Sequence, residues 1–343
     1  MNRILSVTLT FFLCGCSSDG PVGEADIVPD RFPAEVDAGY VPGAPFRFVV
    51  LSDTHIQRTG EPAHAEENLA QAVQRINTEF PSAAFVAVTG DLVDGLLSEE
   101  AADYVTGQSN PAETYRERME ELTVPYYSVL GNHDYNIGYD EEERSTIGAK
   151  DPSKVEAIWK KVLGIEPYYS VVYNGIRLVF LDSARGEAYP VPCTAHHLAV
   201  ACTGSFDGDQ LAWLEGELAE PEPAVLFFHH PVHTDDEMAL FMFNPGYFVQ
   251  EGDRFYEIAA TFKDRIVAIF VGHGHTWEHD NLNGTIPVYE TGSLGGFSGH
   301  PDNMHIVDVD PAGPTIKVDI GRPGIDYLGL PGERKPRNKR EET

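Results

Sequence analysis

The stretch "YYSVLGNHDYN", residues 126–136, decides how the rest of the chain is read. Its first half is aromatic and apolar, as a buried strand requires, and it stops abruptly at Gly131. Gly131, Asn132 and Asp134 are ordinary turn formers, but a turn does not call for His133. A histidine among them, where a strand ends, raises the question of what chemistry it serves.

The same pattern recurs in both directions along the chain. "FRFVVLSDTH" (46–55) ends on Asp53 and His55, and "AAFVAVTGD" (83–91) ends on Asp91, with Asp94 just beyond. "AVLFFHHP" (224–231) ends on His229 and His230, and "RIVAIFVGHGH" (265–275) ends on His273 and His275. Between these runs lie amphipathic stretches. In "HAEENLAQAVQRINTEF" (64–80), Leu69, Val73 and Ile76 recur at helical spacing. "AETYRERMEEL" (112–122), "GDQLAWLEGELAE" (208–220) and "DRFYEIAATFK" (253–263) also read as helices. Asn174-Gly175 inside "YYSVVYNGIRLVFLDS" (168–183) is a hairpin signal, and "TIPVYET", "MHIVDVD" and "TIKVDI" read as late strands. Strands alternating with helices early and hairpins late predict an α/β protein with mixed sheets. The Gly-rich "TGSLGGFSG" (291–299) lacks the Gly-Lys-Ser/Thr ending of a phosphate-binding loop and reads as a tight connection.

In α/β sheets ligands bind outside the carboxyl ends of the strands, so these polar pairs are expected to share one cleft. Their blocks, "DTH" (53–55), "GDLVD" (90–94), "GNHD" (131–134), "HHP" (229–231) and "GHGH" (272–275), together resemble the calcineurin-like metallophosphoesterase superfamily. That resemblance implies a four-layer α/β/β/α sandwich of two mixed sheets flanked by helices, over residues 44–325. It also implies a metal-dependent phosphoric ester hydrolase with two divalent or trivalent metal ions, of the Zn, Mn or Fe kind. By the same resemblance Asp53, His55 and His275 hold one metal, Asn132, His229 and His273 hold the other, and Asp91 bridges them. His230 is the rival to His229, and the resemblance favours the histidine directly after the strand.

Imidazole and carboxylate are donors that such borderline cations accept. A hydroxide bound between two of them can attack the phosphorus of a phosphomonoester or phosphodiester in line. The resemblance makes His133 the group that stabilises or protonates the leaving oxygen, with Asp94 as the carboxylate that orients it. Departures narrow the class. Purple acid phosphatases carry a metal-bound Tyr three residues after the bridging Asp, where this chain has Asp94. Ser/Thr protein phosphatases continue with Arg-Gly and use Gly-Asn-His-Glu, where this chain has Gly95-Leu96 and Asp134. The final block usually reads Gly-His-Thr-His, and here Gly274 replaces the Thr.

The chain of 343 residues carries 54 acidic and 24 basic side chains, a formal charge of −30. Such a surface repels nucleic-acid phosphates, so a small phosphate ester is expected as substrate and no nucleic acid as partner. A nuclease remains an alternative reading, as does a non-catalytic metal-binding surface lipoprotein on the same scaffold. At the N-terminus, Arg3 precedes "ILSVTLTFFL", too short to span a bilayer as a helix and suited to a signal-peptide core. "LCGC" (13–16) resembles a bacterial lipobox, which implies a lipoprotein signal peptide over 1–15 and a lipid on Cys16. Residues 16–43 are then the lipidated N-terminus and a Pro/Gly-rich spacer, and the protein is anchored in the cell envelope. Ser17 is compatible with an outer membrane where the cell has one. The basic tail, 326–343, has little to pack and is expected to be disordered.

Cys14 leaves with the signal peptide, so Cys193 and Cys202 are the remaining thiols, and an oxidising compartment favours a disulfide between them. A metal pair is the other reading of these two cysteines. The insertion that holds them, with His196 and His197, forms either a stapled flap over the cleft or a remote surface loop.

Overall fold

The computed structural model describes residues 43–57, 64–104, 109–140, 145–149, 151–185, 192–193, 198–201, 203–234, 247–250, 252–296 and 298–323. The signal peptide, Cys16, His196, His197, Cys202 and the basic tail lie outside the described residues, and Cys193 is placed by its backbone alone. Among the described residues no helix is long and apolar enough to cross a membrane.

The chain opens with β1 (Phe46–Leu51), α1 (His64–Glu79) and β2 (Val86–Val88), followed by α2 (Pro111–Met119) and β3 (Tyr126–Ser128). A hairpin, β4 (Asn136–Asp140) and β5 (Ser145–Gly148), leads to α3 (Pro152–Leu163) and a second hairpin, β6 (Tyr169–Tyr173) and β7 (Ile176–Phe180). The short β8 (Pro192–Cys193) and β9 (Leu198–Ala201) precede α4 (Gly208–Ala219), β10 (Ala224–Phe227), α5 (Arg254–Thr261) and β11 (Ile266–Val271). β12 (Glu278–Leu282), β13 (Ile286–Glu290), β14 (His305–Asp310) and β15 (Thr315–Ile320) complete the order.

Two mixed sheets result, one in the order β15-β14-β1-β2-β3 and the other β12-β13-β11-β10-β7-β6. In the first, β1, β2 and β3 run parallel, with Val49 opposite Val86 and Ala87 opposite Tyr127. In the second, β7, β10, β11 and β13 run parallel, with Phe227 opposite Phe180 and Phe270. Central strands covered on both faces need apolar residues at every position, which explains the unbroken runs in the sequence. In β1, Phe48 and Val50 face the other sheet, while Val49 and Leu51 face the helices. β10 divides in the same way, Val225 and Phe227 to the interior and Ala224 and Leu226 to α4 and α5. The layers are therefore helices α1–α3, sheet, sheet, helices α4–α5, as the resemblance implies. Between the sheets the Phe227 ring lies stacked between Phe180 at 4.8 Å and Phe270 at 5.6 Å.

Asn174 and Gly175 both take left-handed φ (52° and 80°), as the hairpin signal requires. Several elements fall outside the sequence-based expectation: the β4–β5 and β8–β9 pairs, α3 and β12. α3 carries its own signals: Asp151 caps it by accepting from Ser153 N, Pro152 starts it, and Gly164 ends it at φ 69°. β12 was hidden by composition, because its inward positions include Glu278 and Asp280, both buried.

Candidate active site

All the parallel strands that carry the motif residues end at the same edge of the sandwich, and their loops are tied together across the two sheets. Asp53 N donates to Gly90 O at 3.0 Å, and His55 N donates to Asp91 O at 2.9 Å. From the second sheet, Gly272 N donates to His229 O at 2.9 Å, and His273 N donates to the Asp53 carboxylate at 3.1 Å. The strand ends thus form one hydrogen-bonded rim.

Asp53, His55, Asp91, His273 and His275 adopt left-handed backbone, with φ between 45° and 74°. For side chains with a Cβ, that region costs about 1–2 kcal/mol per residue. Such strain persists only where surrounding bonds over-determine it, and it concentrates at functional sites. Here it accompanies side chains that converge on one another, Asp53 with His55 and His275, and Asp91 with His273.

Three overlapping groups of side chains bring donor atoms within reach of a common cation: Asp53, His55 and His275; Asp91, His229 and His273; and His55, Asp91 and His133. In the first, His55 Nε2 lies 3.1 Å from His275 Nε2, and His275 Nε2 lies 3.2 Å from Asp53 Oδ1. In the second, His229 Nε2 lies 3.1 Å from Asp91 Oδ2, 3.1 Å from Asn132 Oδ1 and 3.2 Å from His273 Nδ1. Asp91 Oδ2 also lies 3.7 Å from His55 Nε2, so this carboxylate is common to both sides. Nitrogens and carboxylate oxygens converging in this way suit borderline cations, and the donor set fits two of them.

The electrostatics agree with that fit. Burial opposes the charge on Asp53 and Asp91, yet the surrounding histidines hold both carboxylates below their ordinary range. Burial also opposes a charged His229, but Asp91 and Asp53 carry it up to about 9, so a cation entering this group competes with a proton. His273 goes the other way, pushed down to about 3 by burial and by His229, and keeps a free lone pair. His229 Nδ1 donates to Thr89 O at 2.8 Å, which fixes the tautomer and leaves Nε2 for the shared centre. His230 is turned aside: its Nδ1 bonds to Ser183 Oγ at 2.9 Å, and it belongs to none of the donor groups. Of the two rivals, His229 is the one whose ring faces Asp91, Asn132 and His273.

His133 lies beside this centre. Its backbone N donates to Asp91 Oδ1 at 2.9 Å, and its Nδ1 forms an ion pair with Asp94 Oδ1 at 2.6 Å. Burial works against charging the ring, but Asp91 and Asp94 outweigh it and raise its pKa. Asp94 also stands 3.5 Å from His55 Nδ1.

The sequence model described as "Calcineurin-like phosphoesterase" matches residues 46–277, a span that runs from the first residue of β1 to just beyond the last histidine of the site. The chain belongs to the calcineurin-like phosphoesterase family. This is a family of metal-dependent phosphoric ester hydrolases with a dimetal centre. A Rhodopseudomonas palustris protein named "Probable cyclic nucleotide phosphodiesterase" is 30% identical over 197 residues, covering 54% of this chain and 57% of the relative. One from Arcobacter nitrofigilis, named "Probable glycerophosphodiester phosphodiesterase", is 27% identical over 190 residues, covering 53% of this chain and 56% of the relative. The chain thus spans little more than half the length of these curated relatives. The fold is also that of a yellow lupin purple acid phosphatase, at TM-score 0.52 and 14% identity, covering 84% of this chain and 54% of that one. A Danio rerio dimetal phosphatase aligns at TM-score 0.50 and 14% identity, covering 82% of this chain and all of its own.

Several side chains that shape this phosphoesterase site were not singled out by the motifs. Asp134 is buried and accepts from Gly131 N, Leu92 N and Val93 N, clamping the 131–134 turn to the loop that carries Asp91 and Asp94. Its presence in "GNHD" was the available signal. Ser183 Oγ accepts from His229 N and His230 N, and nothing local marks it. The loop after β13 is more than a connection. Gly295 N donates to Asp53 O, and a Cβ on Gly296 would lie 2.3 Å from His275 Cε1 and 2.8 Å from His55 Cδ2. Only a residue without a side chain lets that backbone pass so close.

Proposed function

We propose that this phosphoesterase hydrolyses a small phosphodiester at two cations of the Zn, Mn or Fe kind. The observation that carries the reading is Asp91, shared between two donor groups, with His133 held on Asp94 beside them. In this reading Asp53, His55 and His275 would hold one cation, Asn132, His229 and His273 would hold the other, and Asp91 would serve both. Cations bound there would supply Lewis acidity at phosphorus and activate water. His133 holds a proton: its Nδ1 is engaged by Asp94, so Nε2 is the atom that presents a hydrogen to the leaving oxygen. Asp94 fixes the ring's orientation and favours its charged form.

The names of the relatives support a diester rather than a monoester, and the charge of −30 supports a small substrate rather than a polyanion. The test is a panel of purified protein from residue 17 onward, with added Mn(II). It would include bis-p-nitrophenyl phosphate, p-nitrophenyl phosphate, a 3′,5′-cyclic nucleotide, a glycerophosphodiester and single-stranded DNA. Preferential turnover of small diesters is the expected result, and preferential turnover of the monoester or the DNA would refute it.

The reading extends to an envelope lipoprotein anchored through Cys16, which Cys16→Ser would release from the membrane fraction. It also includes a Cys193–Cys202 disulfide in a flap at the rim of the cleft. In support, β9 packs beside β5, and β4 begins at Asn136, directly after the His133–Tyr135 turn. Replacing both cysteines by Ala should alter the kinetic constants, and unchanged constants on every substrate would rule the flap out.

A further inference from the structure

Gly274 and Glu290 occupy each other's space. Glu290 ends β13 directly opposite Val271 of β11, and its side chain is fully buried beneath the 272–276 turn. A Cβ on Gly274 would lie 2.1 Å from Glu290 Oε1, 2.9 Å from Cδ and 3.1 Å from Oε2. Gly274 does not have the left-handed φ of its two histidine neighbours. Backbone conformation therefore does not demand glycine there, but the carboxyl group does. In return, Glu290 Oε1 accepts from Thr276 Oγ1 at 2.9 Å and from Thr276 N at 3.3 Å.

We propose that Glu290 is a positioning residue that buttresses the turn carrying His273 and His275, and that Gly274 is the void that admits it. The turn holds two histidines in strained backbone, at φ 74° and 58°. Its entry is pinned by Gly272 N on His229 O and its middle by His273 N on Asp53. Its exit is pinned by Glu290 through Thr276. Without that third anchor the strain can relax, and His275 and His273 swing away from their separate donor groups. Because the two histidines serve different groups, loss of the buttress weakens both cation sites rather than one. The inference rests on the proposed assignment of these histidines as ligands.

The test is Co(II) binding to metal-stripped protein, followed by visible absorption and chelator competition, with thermal melting of the same samples. Glu290→Ala should weaken both Co(II) binding steps about tenfold or more and change the absorption spectrum at saturation. Glu290→Gln keeps an acceptor for Thr276 and should bind within about threefold of wild type. Gly274→Ala should weaken binding alone yet add nothing in the Gly274→Ala/Glu290→Ala double variant, where the colliding carboxyl is gone. A folded Glu290→Ala protein with wild-type Co(II) affinity and spectrum overturns the proposal, as does strict additivity in the double variant. Where Gly274→Ala does not fold, the comparison of Glu290→Ala with Glu290→Gln decides. A wild-type protein that binds no Co(II) refutes the ligand assignment beneath the proposal, a failure distinct from that of the buttress.

Discussion

Asp94 Oδ1 lies 2.6 Å from His133 Nδ1, and this ion pair joins the two strand-end loops on either side of the proposed centre. The pair is electrostatically consistent from both ends. Burial works against the Asp94 charge, but His133 and His55 hold the carboxyl below its ordinary range, while Asp91 and Asp94 raise His133. A proton-donating His133 loses its proton as pH rises through the raised pKa. Turnover is therefore expected to fall on the alkaline side. In Asp94→Asn that fall should shift to lower pH, with kcat reduced about 10²-fold. The kcat–pH profiles of the two proteins, with metal content measured in each, check this.

Asp91 belongs to two of the three donor groups, and its Oδ2 lies 3.7 Å from His55 Nε2 of the third, whereas His229 belongs to one. Asp91→Ala should strip cations from both proposed sites, and His229→Ala should weaken mainly the group it shares with Asn132 and His273. Elemental analysis after gel filtration distinguishes the two outcomes. Equal losses in both variants would contradict a shared carboxylate.

Much of this site was legible because each motif residue sits immediately after an apolar run, and the runs are continuous where strands are covered on both faces. The sequence alone therefore places Asp53, His55, Asp91, Asn132, His133, His229, His273 and His275 at strand ends. The resemblance favours His229 over His230 by its place directly after the strand, but the orientation of the two rings is not a local property. It depends on Thr89 and Ser183, which approach from other strands. Glu290 was silent for the same reason, since its role exists only where β13 lies beside β11. β12 was misleading in its composition, because Glu278 and Asp280 are acids buried where a strand normally shows apolar residues.

Asp134 holds three backbone N–H groups of two active-site loops. Its replacement by Ala leaves those buried donors without a partner, at about 1–3 kcal/mol for each one left unsatisfied. Asp134→Ala should lower the midpoint of urea unfolding markedly. A variant as stable as wild type would remove the clamp from the account.

Phe227 is fully buried between Phe180 and Phe270 in the layer that joins the sheets. Phe227→Ala is expected to destabilise the protein by about 3–5 kcal/mol, through lost transfer energy and a cavity. Denaturant unfolding measures it, and a cost below about 1 kcal/mol would mean that the inter-sheet layer collapses around the gap.

Away from the centre, burial raises Asp182 to about 6 against the hydrogen bond it accepts from Tyr135, and burial raises Glu156 to about 7. Both folded-state values lie above those of an unfolded chain, roughly 4. The folded protein therefore holds protons that the unfolded chain has released between about pH 4 and pH 7. Stability from these groups is present at the acid end of that window and is lost as pH rises through it. Asp182 accounts for about 2–3 kcal/mol of that loss. Unfolding free energies at a series of pH values should show a shallower slope in Asp182→Asn than in wild type.

The central claim, two cations joined by Asp91 and used for phosphodiester hydrolysis, is tested most directly by titrating Mn(II) into metal-stripped protein while following bis-p-nitrophenyl phosphate turnover. No turnover is expected before addition, followed by a rise that levels off near two equivalents per chain. Full turnover in the stripped protein, or saturation at one equivalent, would contradict it.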